Sequence, residues 1–193
     1  MNQSLGRERP ARGRLMKAAA ELFYAQGIAA TGIDSITERA GVARKSLYNN
    51  FASKDDLVLA YIRDRHQEWL DLYELRASTA ESASDRVLAV FDAYIDHANA
   101  AYVHGFRGCG LLNAAAELPA GAPGRVAVRE HKEQVESILS AGLAKVFAPD
   151  RAADLAEQLA FVLEGAVARA GLEGSAERLV HARAIAASLV DAV

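Results

Sequence analysis

The chain has 193 residues, 51% of them hydrophobic and 24% charged, with a formal net charge of −3. That composition builds a real core and excludes a disordered or fibrous chain. One cysteine, Cys109, excludes an internal disulfide framework, and no uncharged apolar run approaches the roughly 18 residues a spanning helix needs.

From the start, Arg7, Arg9, Arg12 and Arg14 stand where the apolar centre of a secretion signal would lie. The expectation is a cytoplasmic protein with no membrane contact. A first helix is expected over residues 9–26, with Leu15, Ala19, Leu22 and Phe23 on one face and Gly27 as its stop. A short helix follows over 34–40, burying Ile33, Ile36 and Ala40 and broken by Gly41, and another over 44–50. Ser53 caps a long helix reaching Arg76, and Asp55 and Asp56 suit its positive end. After a loop at 78–84, helices are expected over 85–103, 109–118, 124–147, 149–171 and 176–193, separated by Gly/Pro turns at 103–110 and 119–124. No stretch alternates with period two, so the fold class is all-α.

The charge is unevenly placed. Residues 1–54 carry nine Lys/Arg against four Asp/Glu, a net +5, which leaves −8 on the remainder. A basic head on an acidic body suggests that the head alone meets a polyanion. Within it, two short helices flank Ala40-Gly41-Val42, where Gly41 permits the tight turn and Val42 packs between the helices. Leu47 and Phe51 then face inward, and the opposite face presents Arg44, Lys45, Ser46, Tyr48 and Asn49. Such a face suits a major groove, because Arg or Lys donates to guanine O6/N7 and Asn pairs with adenine.

In this segment the sequence resembles the TetR/AcrR family of repressors. The likeness runs through Leu22-Phe23, Gly27, Thr31, Ile36, Ala40-Gly41-Val42, Leu47-Tyr48, Phe51, Lys54 and Leu57. The resemblance implies an N-terminal three-helix helix-turn-helix DNA-binding domain over 1–53 and a helical ligand-binding and dimerisation domain over 54–193, about nine helices in all. It implies a homodimer on a palindromic double-stranded operator, released by a small-molecule inducer, with no catalysis, cofactor or metal. Phosphate contacts are implied for Thr31, Tyr48 and Lys54, and base contacts near Arg44, Lys45 and Asn49; Ser46 and Asn50 complete the expected DNA face. Three positions depart from the usual pattern: Ala43 stands where Ser or Thr commonly caps the recognition helix, Gly32 where Ser or Thr precedes the second helix, and Asn50 where an aromatic residue or His is frequent.

The last two helices fit the family's dimerisation pair. Leu155, Leu159, Leu163, Ala166 and Ala170 form one stripe, and Leu179, Ala182, Ala186, Leu189, Val190 and Val193 the other. Such stripes serve equally as an intramolecular core. Trp69, Tyr73, Phe91, Tyr94, His97, Tyr102, Phe106 and Phe161 read as core or as walls of an apolar pocket. Asn113 and Glu164 are its candidate polar groups, and Glu164 makes a partly cationic inducer conceivable. The long helix from Lys54 past Trp69 is the candidate lever between pocket and head. Cys109 reads either as a small buried residue or as a sensor of oxidants. No H-E-x-x-H, P-loop, G-x-S-x-G or Glu-x-x-His spacing is present, which disfavours a hydrolase or a di-iron bundle.

Overall fold

The computed structural model describes residues 10–100 and 105–191. Among them lie nine helices and no strand: α1 (Pro10–Gln26), α2 (Ile33–Ala40), α3 (Arg44–Tyr48), α4 (Lys54–Ala77), α5 (Ala83–Asn99), α6 (Gly110–Ala116), α7 (Pro123–Leu143), α8 (Pro149–Glu173) and α9 (Glu177–Val190). No helix of the described residues is long and apolar enough to cross a membrane. Arg7, Arg9, Tyr102 and Val193 of the sequence expectations lie outside the described residues.

Two hydrophobic cores organise the chain. The first gathers Leu15, Ala19, Phe23, Ile36, Leu47 and Phe51 of the head with Leu57, Val58, Tyr61 and Ile62 of α4, Leu111 and Ala114 of α6 and Val128 of α7. It therefore runs across the junction at Ser53. The second packs the distal part of α4 with α5, α7, α8 and α9 around Phe91, Leu139, Leu155, Leu159 and Leu163. Helix α4 enters both: its residues 57–62 serve the head, and Trp69 serves the body.

Local chemistry sets the boundaries. Ser53 accepts the Asp56 N–H at 3.0 Å and starts α4. Helix α5 begins earlier than expected because Ser82 and Asp85 form a reciprocal capping box. Gly41, at φ +62°, closes α2 in the left-handed region. Ala43 and Gly32 provide no side-chain cap to α3 and α2, as their side chains dictate.

Helix α8 corrects one expectation. It runs through Gly171 to Glu173 and stops at Gly174, φ +65°. Gly171 has a packing role instead: a Cβ there would lie 2.5 Å from the Gly108 nitrogen and 2.6 Å from the Gly108 Cα. The loop before α6 rests directly on the backbone of α8.

Candidate functional site

The head presents α3 to solvent. Leu47 is fully buried beneath it, while Arg44, Lys45, Tyr48 and Asn49 are exposed and Ser46 is half-buried. Arg44 pairs with Asp34 of α2 at 3.0 Å and lies over the Tyr48 ring, 5.9 Å from its centroid. Both groups of that ion pair are largely solvated, so a nucleic acid can compete for the guanidinium at little cost. Arg14 donates to the Gly41 carbonyl at 3.3 Å, tying α1 to the helix-turn-helix turn.

Three of the expected DNA contacts have internal work. Thr31 is 0% exposed, and its hydroxyl donates to the Gly27 carbonyl at 2.6 Å, so that side chain braces the α1–α2 turn. Asn50 Nδ2 donates to the Ser46 carbonyl at 2.7 Å and closes α3. Lys54 Nζ donates to the Ile28 carbonyl at 2.6 Å; an ammonium has three donors, so this brace leaves others for a phosphate.

The body holds a small cavity of about 20 Å³, room for roughly one water molecule. Trp69, Tyr94 and Phe106 of the expected ligand set line it, joined by Arg65, His97, Cys109, Gly110, Leu111, His131 and Val167. The other four lie elsewhere. Phe91 is fully buried in the body core outside the cavity wall. Phe161 is 67% exposed on the outer side of α8. Asn113 is exposed, and its Nδ2 donates to the Arg107 carbonyl at 3.0 Å, closing the loop before α6. Glu164 is ion-paired with Lys132 at 2.7 Å, which removes the negative charge that suggested a cationic inducer.

Behind the cavity runs a polar chain that the sequence reading missed. Lys132 Nζ donates to Glu164, to the Tyr94 hydroxyl at 3.3 Å and to Cys109 Sγ at 3.7 Å. Lysine only donates, so Tyr94 turns its own proton to His131 Nε2, 3.3 Å away. His131 then carries its proton on Nδ1 and faces His66 Nδ1 at 2.9 Å. Burial first, then Lys132, His66 and His97, push the His131 pKa down to about 3. Burial, helped by Arg65, lowers His97 to about 4. Burial raises the Tyr94 pKa, so all three are neutral near pH 7. The available signal was spacing: Val128, His131 and Val135 share the buried face of α7.

The cavity wall is joined to the head. Arg107 donates from its guanidinium to the carbonyls of Tyr24, at 2.7 Å, and Ala25, the last turn of α1. Its backbone N–H donates to the Tyr24 hydroxyl at 2.6 Å, and that hydroxyl donates to the Gly108 carbonyl at 3.1 Å. At the far end of α6, Glu117 accepts the N–H groups of Ile28 at 3.0 Å and Ala29 at 2.7 Å.

The expected dimer residues are enclosed by their own chain. Leu159, Leu163 and Ala186 are 0% exposed, Ala166 and Ala182 are buried, and Leu189 packs half-buried against the same core. They join α8 to α9 and α7 within one protomer. The apolar side chains left in solvent on these two helices are Phe161, Leu172, Val180 and Ile185.

Comparison with known proteins agrees with this architecture. The family described as bacterial regulatory proteins, tetR family, matches residues 15–61. SCO4454, a TetR-family transcriptional regulator from Streptomyces coelicolor, is 33% identical over 94% of this chain and 96% of its own, with a TM-score of 0.82. A tetR-type regulator from Streptomyces avermitilis is 30% identical over 96% and 98%, at 0.79. Among curated relatives, the repressor KstR2 of Mycobacterium tuberculosis is 32% identical over 108 residues, and the activator FasR of Mycolicibacterium smegmatis is 34% identical over 85. These matches span 53% and 39% of those proteins, and 53% and 44% of this chain. The chain belongs to the TetR family of helix-turn-helix, DNA-binding transcriptional regulators.

Proposed function

We propose that the chain is a homodimeric repressor that holds a palindromic operator and leaves it when a small molecule opens the cavity beside Trp69. The carrying observation is the Phe106–Arg107 link, since one residue seals the cavity and the next holds the end of α1. A ligand releases DNA only by binding one conformer better than the other. Here a ligand that displaces Phe106 pulls on Arg107 and therefore on the head. Residues 1–53 act as the reading unit and 54–193 as the sensing and pairing unit. Arg44, Lys45, Ser46, Tyr48 and Asn49 form the DNA face, with Lys54 reaching a flanking phosphate.

The dimer forms through the outward face of α8 and α9. Phe161 and Leu172 are 67% and 85% exposed, and Gly165, on the same stripe of α8, has open space where a Cβ would stand. A small residue between large apolar ones lets a second helix approach closely. Two copies related by a two-fold axis then set two α3 helices toward successive major grooves.

The test is selection of duplexes from a random pool by the full-length protein, followed by the mass of the complex in solution. The expected result is an inverted repeat bound by two, or a multiple of two, chains. A non-repeating site held by one chain would overturn the proposal. The name of FasR keeps activation as a second reading; transcription from a reporter carrying the selected site, with and without the protein, separates the two.

A further inference from the structure

The indole N–H of Trp69 is buried without a hydrogen-bond partner among the described residues, although Trp69 lines the cavity and is only 3% exposed. An unsatisfied buried donor costs free energy and calls for an explanation. Glu164 Oε2 is the other buried polar atom without a partner among the described residues, but Glu164 does not line the cavity. Lys132 spends its donors on Glu164, Tyr94 and Cys109, and His131 bridges Tyr94 and His66.

The charges around the cavity are also balanced. Arg65 is paired with Glu68 one turn along α4, and Lys132 with Glu164. A carboxylate brought inside would have to draw Arg65 from Glu68 or stay unpaired, and a cation would find no carboxylate among the residues that line the cavity. Either leaves a desolvated charge without compensation.

We infer that the cavity is built for a neutral, flat apolar molecule carrying one hydrogen-bond acceptor, which takes the Trp69 N–H and displaces the Phe106 ring. This deepens the inducer reading and rests on it. The wall that yields is the stretch from Phe106 to Leu111. It precedes and opens α6, and Gly105 and Gly108, at φ +77° and +80°, give its backbone turns that other residues resist. At about 20 Å³ the cavity admits no aromatic ring, so binding and displacement of this stretch are one event. Arg107 travels with it, which carries the event to α1.

Trp69 is the only tryptophan of the chain, so the full-length protein gives a single indole N–H resonance. Four probes of similar size are titrated against it: acetophenone, ethylbenzene, benzoate and benzylammonium. Acetophenone is expected to bind tightest and to move the indole proton downfield, with an advantage over ethylbenzene of about fivefold to tenfold, the worth of one net hydrogen bond. In Trp69→Phe, followed by calorimetry, that ratio falls to about one. Ethylbenzene binding as well as acetophenone to the native protein removes the acceptor. Benzoate or benzylammonium binding tightest overturns the neutral class and leaves the cavity as the inducer site. No response to any of the four overturns both.

Discussion

Phe106 and Arg107 are consecutive residues that serve different parts of the molecule: the ring is buried in the cavity wall, and the guanidinium closes the last turn of α1 by binding the carbonyls of Tyr24 and Ala25. Here a cavity-wall ring and a brace on α1 stand one peptide bond apart. Helix α4 also joins the two cores, but the Arg107 link ties the cavity wall to α1 directly, by hydrogen bonds.

Arg107→Ala tests that path. The operator face is untouched, so affinity for a selected operator should stay within about threefold of the native value, a change of under 1 kcal/mol. Release by a ligand that occupies the cavity should weaken, because displacement of Phe106 no longer pulls on α1. Fluorescence anisotropy of labelled operator, with and without ligand, gives both numbers. Full release in the variant would return the coupling to α4 alone.

Glu117→Gln should loosen the α1–α2 turn. The carboxylate accepts two backbone N–H groups, and an amide oxygen replaces only one acceptor cleanly. A loss of about 1–2 kcal/mol is expected from urea titration. Hydrogen exchange should speed up at the amides of Ile28 and Ala29. Unchanged protection there would mean that the contact does not persist in solution.

Much of this fold was legible in the sequence. Leu15, Ala19 and Phe23 at helical spacing, Gly41 between two short helices and Ser53 ahead of two aspartates are local signals, and local hydrogen bonding and packing honour them. The residues expected at a dimer face are core of the protomer for a physical reason. Helices α8 and α9 are apolar on more than one side, and periodicity says which residues share a face without saying whose chain covers it. Leu159 and Leu163 are covered by their own protomer, and Phe161 and Leu172 are not. The same limit applies to Thr31, whose role depends on where the α1 carbonyls point. It applies as well to Lys132, whose partners come from α5, α8 and the loop before α6.

Phe161→Arg and Leu163→Arg separate the two readings of α8. Leu163 is fully enclosed, so an arginine there is a buried, unpaired charge and the chain should fail to fold, seen as insoluble protein or loss of the cooperative melt. Phe161 is exposed in the protomer, so Phe161→Arg should fold, keep its helix content and sediment as a monomer. A dimer of undiminished stability in that variant would place the interface elsewhere.

Arg44→Ala and Lys45→Ala should each weaken specific operator binding by about 1–3 kcal/mol where the side chain reads a base. Lys54→Ala should behave differently. It removes the brace on the Ile28 carbonyl, so the head loses stability, while specific and non-specific binding fall together and the salt slope flattens by about one. Titrations at several salt concentrations distinguish the classes; three variants that bind like the parent would mean that α3 is not the reading helix.

Acidification should strike the body first at His131. Its pKa is pushed down to about 3 in the native protein and returns to about 6.5 on unfolding. A depressed histidine pKa means that, as the pH falls below about 6.5, the unfolded chain takes up a proton that the native chain refuses. Stability is therefore full above that pH and is lost progressively toward pH 3, by at most about 1.4 kcal/mol per pH unit for each such group. His97, lowered to about 4, adds a second increment over the upper part of the same window. Carboxylates contribute little between pH 6.5 and 5, which makes that interval diagnostic. Urea titrations at pH 7, 6 and 5 should show a steep fall in the native protein and about half that slope in His131→Gln, whose amide can still meet the Tyr94 hydroxyl. Equal slopes in the two proteins would mean that His131 already holds its proton in the fold, and the ordered chain from Lys132 to His66 would have to be redrawn.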